Sequence, residues 1–313
     1  MELRRSPIPI KNLDNNKVLV RALASGISQG TEMLLYLGEG PQPFDPSLNA
    51  QSAPTYPRRY GYAWIGEVEQ GGSEARVKPG QRVFALAPHG DYHCLPESEL
   101  RLLPNNLPPE RAVLCANMET AITCVWDSKM GLGDSVVVLG GGIVGLLIVA
   151  LAHRAGARVR LVEPIEKRRN LGKILGAGES VSPEQDRPRG DADIVIGATG
   201  NPIELDAAIA HAAKEARIIV ASFYGQRRFP VDLGSDFHRK RLQIISSQVS
   251  SIPSERAARW NTSRRFELGV SMLGNEIFNS MIDTPVPFDR APELYEQMAN
   301  QPGNTLQSVF SYA

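Results

Sequence analysis

The residues best suited to bind a ligand form a glycine-rich turn near the middle of the chain. The segment VVVLGGGIVG places Gly140, Gly142 and Gly145 at the spacing G-x-G-x-x-G. It follows one apolar run and opens another, which is the strand–turn–helix context of a dinucleotide-binding turn. We expect Gly140 to make the tight turn, Gly142 to let the backbone approach a pyrophosphate, and Gly145 to let helix and strand pack closely. Ile143 and Val144 begin the helix, and free N–H groups there would face the phosphates.

An acidic residue ends the next predicted strand. Glu163 follows Gly145 by 163 − 145 = 18 residues. A carboxylate at this distance can accept hydrogen bonds from the adenosine ribose and repels a 2′-phosphate, so it predicts NAD as the cofactor. Lys167, Arg168 and Arg169 lie one helical turn further on. Arg168 is counted among the cofactor-binding residues because a cation there could instead reach a phosphate, which keeps NADP as the alternative.

Two further segments follow predicted strands. Ala198 and Thr199 come after DIVIG, and Phe223 and Tyr224 come soon after RIIVA. The carboxyl ends of parallel strands border a dinucleotide crevice, so these four residues are predicted to contact the cofactor. The alternative for both segments is an ordinary turn.

The elements that would position these residues change in character along the chain. Up to about residue 110, short alternating segments between Gly, Pro and Asn residues predict β-strands. Beyond that point strand-like and helix-like segments alternate, which predicts βαβ units and a parallel sheet. One of the predicted helices is NPIELDAAIAHAAKE. The stretch between Gly38 and Tyr60 contains five prolines and is predicted to be a long surface loop. A chain of 313 residues fits two domains of an α/β protein.

Composition excludes several classes of protein. Lys plus Arg and Asp plus Glu each total 34, so the formal net charge is +0. A nucleic-acid-binding surface normally leaves a basic excess, so no nucleic acid partner is expected. The three cysteines (94, 115 and 124) are odd in number and have no CxxC spacing. This argues against a disulfide framework or a four-cysteine zinc site and predicts a cytoplasmic location.

The sequence also predicts no membrane partner. The first residues, MELRRSPIPIKNLDNN, lack the apolar core of a signal peptide. The stretch 136–152 carries no charge, but three consecutive glycines interrupt it. We interpret it as a buried strand, a turn and a buried helix rather than a membrane span.

These segments together resemble the medium-chain dehydrogenase/reductase superfamily, which contains the zinc-type alcohol dehydrogenases. The resemblance rests on LASGISQGTE, YGYAWIGEV, VKPGQRVFA, the GGGIVG turn, KILGAG and DIVIGATGNP. It implies a GroES-like, β-rich catalytic domain built from residues 1–115 and 253–313. A Rossmann-like domain with a doubly wound parallel sheet would occupy residues 116–252. It also implies NAD(P)-dependent oxidoreductase activity on a small-molecule substrate, and a homodimer.

One branch of the superfamily is the most similar. SGISxGTExLLYxG and YPxRYGY resemble the branch that contains bacteriochlorophyllide a dehydrogenase. This resemblance implies a bulky substrate of secondary-metabolite or tetrapyrrole type. The branch-typical GYE is replaced here by Gly61-Tyr62-Ala63, which alters the implied site.

The sequence departs from the superfamily at the positions of its catalytic zinc ligands. Ser28 or Gln29 stands in place of the first cysteine, depending on the alignment. Tyr62 stands in place of the histidine of G-H-E, and Ala116 falls at the third ligand position. None of these residues is a usual zinc ligand. We therefore predict a protein without zinc or another metal.

Without a metal, another group must polarise a carbonyl or take an alcohol proton. Tyr62 is the first candidate, because a phenol can donate to a carbonyl oxygen. A tyrosine that only fills the vacated metal volume is the alternative. Ser28 is a second hydroxyl candidate. By resemblance, Thr31 aligns with a proton-relaying hydroxyl, and Thr120 would lie near the nicotinamide.

Two carboxylates complete the set of catalytic candidates. Glu32 and Glu119 could each relay protons near the nicotinamide, or could form a salt bridge with Arg58 or Arg59. The histidines show no ligand spacing, and His89 and His93 are only minor candidates for contact with the substrate.

Three functions fit these residues. The first is zinc-independent interconversion of a secondary alcohol and a ketone, with hydride exchanged at nicotinamide C4. The second is NAD(P)H-dependent reduction of an activated C=C or C=N bond, where hydrogen bonds can hold the developing enolate. The third is a non-catalytic nucleotide-binding sensor, which predicts binding without turnover.

Overall fold

The structure is a computed structural model, and it describes residues 3–4, 13–40 and 59–312. Most of the predicted proline-rich loop, with all five prolines and Arg58, lies outside the described residues. The strands are β1 (Lys17–Gly26), β2 (Trp64–Gly71), β3 (Arg82–Ala85), β4 (Tyr92–Pro96), β5 (Arg101–Leu102), β6 (Ser135–Leu139), β7 (Arg158–Val162), β8 (Glu179–Val181), β9 (Ala192–Gly197), β10 (Ala212–Val220), β11 (Gln243–Ser246), β12 (Val286–Pro287) and β13 (Val309–Ser311). The helices are α1 (Gln29–Tyr36), α2 (Pro109–Ala112), α3 (Cys115–Ser128), α4 (Ile143–Arg154), α5 (Glu166–Ile174), α6 (Glu204–His211), α7 (Asp236–Arg239), α8 (Ser254–Ala257), α9 (Thr262–Leu273) and α10 (Ala291–Asn300).

The chain divides into two compact units. Met1–Ala116 and Val270–Ala313 form the first, which we call the catalytic unit, and Asn117–Gly269 forms the second, the nucleotide unit. In the part of the chain that the structure describes, no helix is long and apolar enough to cross a membrane.

The catalytic unit is built on a seven-stranded sheet. Its order is β12-β13-β1-β2-β3-β5, and β4 pairs with β1. Alternate residues of β1 enter a core that includes Val18, Val20 and Trp64, as expected for a strand with one buried face. Near its end, β1 pairs with β13, and Ser25 lies opposite Phe310. The two distant segments of this unit are therefore joined within one sheet.

The nucleotide unit contains a six-stranded sheet of order β11-β10-β9-β6-β7-β8. All of its strand pairs are parallel. The chain begins at β6, runs outward through β7 and β8, and then returns to the other side of β6 at β9. This reversal creates a switch point between β6 and β9, where open α/β sheets bind their ligands. The predicted fold class, a β-rich domain with a doubly wound parallel sheet, is confirmed.

One predicted helix ends earlier than its sequence suggests. NPIELDAAIAHAAKE favours a helix through Glu215, but α6 ends at His211 and β10 starts at Ala212. Ala212 pairs with Ala192 of β9, and Ala212 and Ala216 are both buried in the sheet core. Burial in the sheet outweighs helix propensity, which is a weak preference for any single residue. The register of β10 against β9 shifts between Ala212 and Arg217, and Glu215 in this stretch has a φ of 62°.

The second boundary between the units also differs from the prediction. The sequence places it at residue 252, whereas the nucleotide unit extends to Gly269. The cause is α9, because Arg265 on this helix forms a buried ion pair with Glu119 on α3. This contact ties most of α9 to the nucleotide unit.

Candidate functional site

The glycine turn leaves an open space above the start of α4. Gly140 has a φ of 98°, and a Cβ on it would lie 2.9 Å from the Ala198 carbonyl carbon. A Cβ on Gly145 would lie only 1.9 Å from the Gly140 oxygen, so helix and strand touch here. For a Cβ added to Gly142, no neighbouring heavy atom of the described residues lies within 4 Å. Gly142 also begins α4 without a side-chain cap. The turn therefore fits the pyrophosphate of a dinucleotide, with the helix N-terminus facing it.

Alanine substitutions at Gly142 and Gly145 are expected to have opposite effects on binding and stability. Gly142→Ala should leave the melting temperature unchanged, because the residue has an extended φ of −70° and open surroundings. It should weaken dinucleotide binding at least about tenfold, roughly 1.4 kcal/mol, because the methyl group takes the space of the pyrophosphate. Gly145→Ala should instead destabilise the fold by about 1–3 kcal/mol through overpacking. Thermal melts and NADH titrations of both variants check this, and equal melting temperatures for the two would contradict it.

Glu163, directly after β7, stabilises the glycine turn through hydrogen bonds of its carboxylate. Its side chain is buried, with 3% of the residue exposed. One carboxylate oxygen accepts the Gly141 N–H at 2.6 Å, and the other accepts the Ile165 N–H at 2.8 Å. Each oxygen keeps a second lone pair, which leaves acceptor capacity for a ribose hydroxyl. Arg169 donates to the Glu163 carbonyl oxygen, while Arg168 lies half-buried in the first turn of α5.

A second buried carboxylate, Glu204, holds the two strand-end segments, and sequence reasoning missed it. Glu204 is 4% exposed and accepts hydrogen bonds from the Thr199 hydroxyl at 2.6 Å and the Tyr224 hydroxyl at 2.7 Å. Burial, followed by the hydrogen bond to Glu204, raises the pKa of Tyr224. Ala198 is half-buried and Phe223 stays exposed. The only sequence signal for Glu204 is a carboxylate in the first turn of the helix that follows β9.

In the catalytic unit the structure brings Ser28, Thr31, Glu32 and Tyr62 together. Ser28 follows β1 and is the N-cap of α1, and Tyr62 lies two residues before β2. The Tyr62 hydroxyl donates a hydrogen bond to Ser28 Oγ. Burial is the largest cause that raises the pKa of Tyr62, and the charge of Glu32 raises it further, against the hydrogen bonds of Ser28 and Thr31. Tyr62 is therefore held as a protonated donor.

Glu32 is the buried carboxylate beside this hydroxyl pair. It is 3% exposed, and its Oε1 accepts the Ser28 N–H at 2.7 Å. Its Oε2 lies 2.9 Å from His89 Nε2 and also accepts the Tyr295 hydroxyl. Among the described residues, His89 is an ionisable partner of Glu32. Arg58, one of the two predicted partners, lies outside the described residues.

His89 continues the polar contacts into the core. Its Nδ1 lies 2.7 Å from Ser25 Oγ, which in turn lies 2.6 Å from the Tyr312 hydroxyl. Sequence reasoning gave His89 a minor role and missed Ser25, Tyr295 and Tyr312. No local signal exists for these contacts, because Ser25 and Tyr312 are 287 residues apart in the chain.

Glu119 and Thr120 belong to α3. Glu119 Oε1 lies 3.0 Å from Arg265 Nε, and both side chains are buried. Arg265 also donates to the Thr123 hydroxyl at 3.0 Å. The arrangement favours the predicted salt-bridge alternative for Glu119, with Arg265 as its partner. Thr120 is half-buried on the same helix.

The donors at the superfamily's zinc-ligand positions do not fit zinc. Ser28 and Tyr62 offer hydroxyl groups that bond each other, and Ala116 offers only a methyl group. Among the described residues, no three His, Cys, Asp or Glu side chains are grouped as a metal site requires. Residues 5–12 and 41–58 contain neither His nor Cys. Zinc in proteins is bound mainly by those two residues.

Comparison with known proteins points to a family. The sequence model of the zinc-binding dehydrogenase family matches residues 144–263. D-guloside 3-dehydrogenase of Escherichia coli (strain K12) is 26% identical over 91% of this chain and 90% of its own. Together these matches support a place for the chain in the medium-chain dehydrogenase/reductase superfamily. The relatives are named dehydrogenases, consistent with an oxidoreductase.

Solved structures share the fold of this chain. A zinc-binding dehydrogenase from Sinorhizobium meliloti 1021, bound to NADP, has a TM-score of 0.79 at 23% identity and covers 97% of this chain and 94% of its own. Galactitol-1-phosphate dehydrogenase from Escherichia coli has a TM-score of 0.80 at 16% identity, with coverage of 98% and 96%.

Proposed function

We propose that this chain is a zinc-independent, NAD(P)-dependent oxidoreductase that interconverts a secondary alcohol and a ketone. The observation that carries the proposal is the hydrogen-bonded pair of Tyr62 and Ser28 at positions where zinc-dependent relatives hold their metal. Hydride exchange with the substrate carbon is the chemistry that nicotinamide C4 supplies when the cofactor is bound. The protein's own contribution is then to hold the cofactor and to move one proton.

Cofactor binding is assigned to the carboxyl edge of the parallel sheet. The space at Gly142 and the N-terminus of α4 would hold the pyrophosphate. Glu163 would accept the ribose hydroxyls, which supports NAD with NADP as the alternative. Thr199 and Tyr224, both held by Glu204, would border the same crevice.

Proton transfer is assigned to Tyr62. Its raised pKa keeps the phenol protonated, so it can donate to the oxygen of a ketone as hydride reaches the carbon. Ser28 Oγ, which accepts the Tyr62 hydrogen bond at rest, is placed to return a proton to the phenolate. Acid–base help of this kind contributes about 10²–10⁴-fold to the rate.

The substrate proposal rests on resemblance. Similarity to the bacteriochlorophyllide a dehydrogenase branch supports a bulky, secondary-metabolite or tetrapyrrole-like alcohol. The relatives named above, a D-guloside 3-dehydrogenase and a galactitol-1-phosphate dehydrogenase, instead take their names from hydroxyl-rich sugar derivatives. A screen should therefore contain both classes. We further propose a cytoplasmic homodimer, as superfamily resemblance and cysteine content suggest.

The test uses the purified full chain. We expect NADH to bind more tightly than NADPH, because Glu163 repels a 2′-phosphate. We also expect reduced cofactor to form with secondary alcohols, in a protein that contains far less than one zinc per chain. One bound zinc per chain, with activity lost on chelation, would contradict zinc independence. Binding of cofactor without turnover of any alcohol or ketone would favour the sensor.

Reduction of an activated C=C or C=N bond is the second candidate. The observation that favours it is the same pair of hydroxyls, since Tyr62 and Ser28 could hold a developing enolate by hydrogen bonds. This chemistry suits NADPH better, and Glu163 argues against that cofactor. Preference for NADPH, with turnover of enones but not ketones, would select this function.

A further inference from the structure

A row of buried polar side chains crosses the catalytic unit. It consists of Glu32, His89, Ser25 and Tyr312, and we call it the Glu32–Tyr312 chain. Its successive contacts measure 2.9, 2.7 and 2.6 Å. Ser25 is fully buried at 0% exposure, whereas Tyr312 is half-buried. The chain therefore leads from a buried carboxylate to a tyrosine that is only half-buried.

The surroundings of this chain are apolar. The rings of Phe310 and Phe288 lie against His89, with centroids 5.1 and 6.5 Å away. Tyr295 covers Glu32 and donates its hydroxyl to it. Within these apolar surroundings, the polar side chains themselves form a continuous row of hydrogen bonds.

With His89 as the neutral Nε2–H tautomer, the hydrogen bonds of the chain have one consistent direction. His89 then donates from Nε2 to the Glu32 carboxylate, which can only accept. Its Nδ1 then accepts from Ser25, and the single Ser25 hydrogen is used in that bond. The Tyr312 hydroxyl accepts the Gly90 N–H at 3.3 Å, and its own hydrogen must point to Ser25. Every donor thus faces Glu32, which is the polarity that delivers a proton inward.

The inner end of the chain meets the proposed acid–base pair at Ser28. Ser28 donates its backbone N–H to Glu32 Oε1 at 2.7 Å, and its Oγ accepts from Tyr62. One residue therefore touches both groups. A route through Ser28 requires its side chain to rotate about χ1, so that the hydroxyl moves from Tyr62 to the Glu32 carboxylate.

We propose that the Glu32–Tyr312 chain resupplies Tyr62 with a proton during ketone reduction. The proposal rests on the proposed function. As the hydride forms the new C–H bond, the Tyr62 O–H bond breaks and the substrate O–H bond forms. Tyr312 takes a proton from solvent and passes its own to Ser25, Ser25 passes its proton to His89 Nδ1, and His89 Nε2 passes its proton to the ionised Glu32. Glu32 then gives this proton to Ser28 Oγ as Ser28 gives its own to the Tyr62 phenolate. One proton thus moves from solvent to Tyr62, and His89 ends as the neutral Nδ1–H tautomer. Alcohol oxidation uses the same steps in reverse.

The first experiment removes the outer hydroxyl. Tyr312→Phe keeps the ring and its packing but breaks the route to solvent. In stopped-flow ketone reduction with a pH indicator, we expect proton uptake to lag behind NADH oxidation and kcat to fall at least about fivefold, with KM unchanged. The solvent isotope effect on kcat should rise, because proton resupply becomes limiting. The control is Tyr92→Phe, whose exposed hydroxyl bonds only weakly to Glu69 at 3.4 Å.

A purely structural role predicts another result. If the chain only positions Glu32, Tyr312→Phe lowers thermal stability, while proton uptake still keeps pace with NADH oxidation. That outcome would overturn the proposal. In a second variant, His89→Gln, the side-chain amide can still donate a hydrogen bond to Glu32. It cannot accept a proton on one atom and release another, so it cannot relay protons. Its kcat should fall as much as that of Tyr312→Phe or more, and near-wild-type turnover in His89→Gln would also overturn the relay.

A second measurement does not depend on turnover. Nitrogen-15 histidine NMR of the full chain should show His89 as the neutral Nε2–H tautomer, identified by the signal that His89→Gln removes from the five histidines. The Nδ1–H tautomer would reverse the chain's polarity and overturn the inward route. If wild-type protein shows no turnover with NAD(P)H, the proposed function fails. The His89 tautomer can still be measured in that case, and it tests the polarity of the Glu32–Tyr312 chain independently.

Discussion

Tyr62→Phe is expected to lower kcat by about 10²-fold in both directions of the reaction while NADH binds as before. The variant keeps the ring, so the half-buried packing of residue 62 is retained. It removes the hydroxyl that donates to Ser28 Oγ, and with it the group proposed to protonate the ketone oxygen. Steady-state kinetics, together with fluorescence titration of NADH, separate turnover from cofactor binding.

The pH profile gives an independent check on Tyr62. Its folded pKa is raised above the ordinary value of 10.0, with burial as the main cause. A general acid acts in its protonated form, so this group should cause wild-type ketone reduction to decline only at a pH above the range in which an ordinary tyrosine ionises. The Tyr62→Phe profile should lack this decline. Unchanged kcat in Tyr62→Phe would mean that the tyrosine only fills space, and Tyr92→Phe again serves as the control.

Arg265→Met is expected to destabilise the nucleotide unit by about 3–5 kcal/mol. Glu119 and Arg265 are both buried, 3.0 Å apart, and the substitution leaves the carboxylate without its counter-charge. Thr123 loses the guanidinium as a donor as well. Urea unfolding can be followed by tryptophan fluorescence, because Trp126 and Trp260 lie in the same unit with ring centroids 4.8 Å apart.

Two further variants separate charge from packing. Arg290→Met removes a pair with Glu293 whose side chains are 63% and 66% exposed, and it should cost less than about 1 kcal/mol. The double variant Glu119→Met with Arg265→Met should recover part of the loss, because no unpaired charge stays buried. A loss in Arg265→Met as small as that in Arg290→Met would show that Glu119 finds another partner.

Local sequence patterns predicted the parallel sheet and the glycine turn at its edge. Alternation of strand-like and helix-like segments predicted the parallel sheet, because each such unit must bury its apolar face on the same sheet. The glycine spacing predicted the turn, because a side chain at Gly140 or Gly145 would collide with neighbouring backbone atoms. The end of α6 at His211 was missed, because pairing of Ala212 with β9 is a tertiary effect.

The partners of the buried carboxylates were decided only by the tertiary structure. Sequence alone selected Glu32 and Glu119 as possible proton relays or salt-bridge residues, and Glu163 as an acceptor for the ribose hydroxyls. It could not choose among their partners, because Glu32 meets His89 across 57 residues and Tyr295 across 263, and Glu119 meets Arg265 across 146. Which side chain satisfies a buried charge depends on which strands and helices pack together, and that follows from the burial of the whole core rather than from any local pattern.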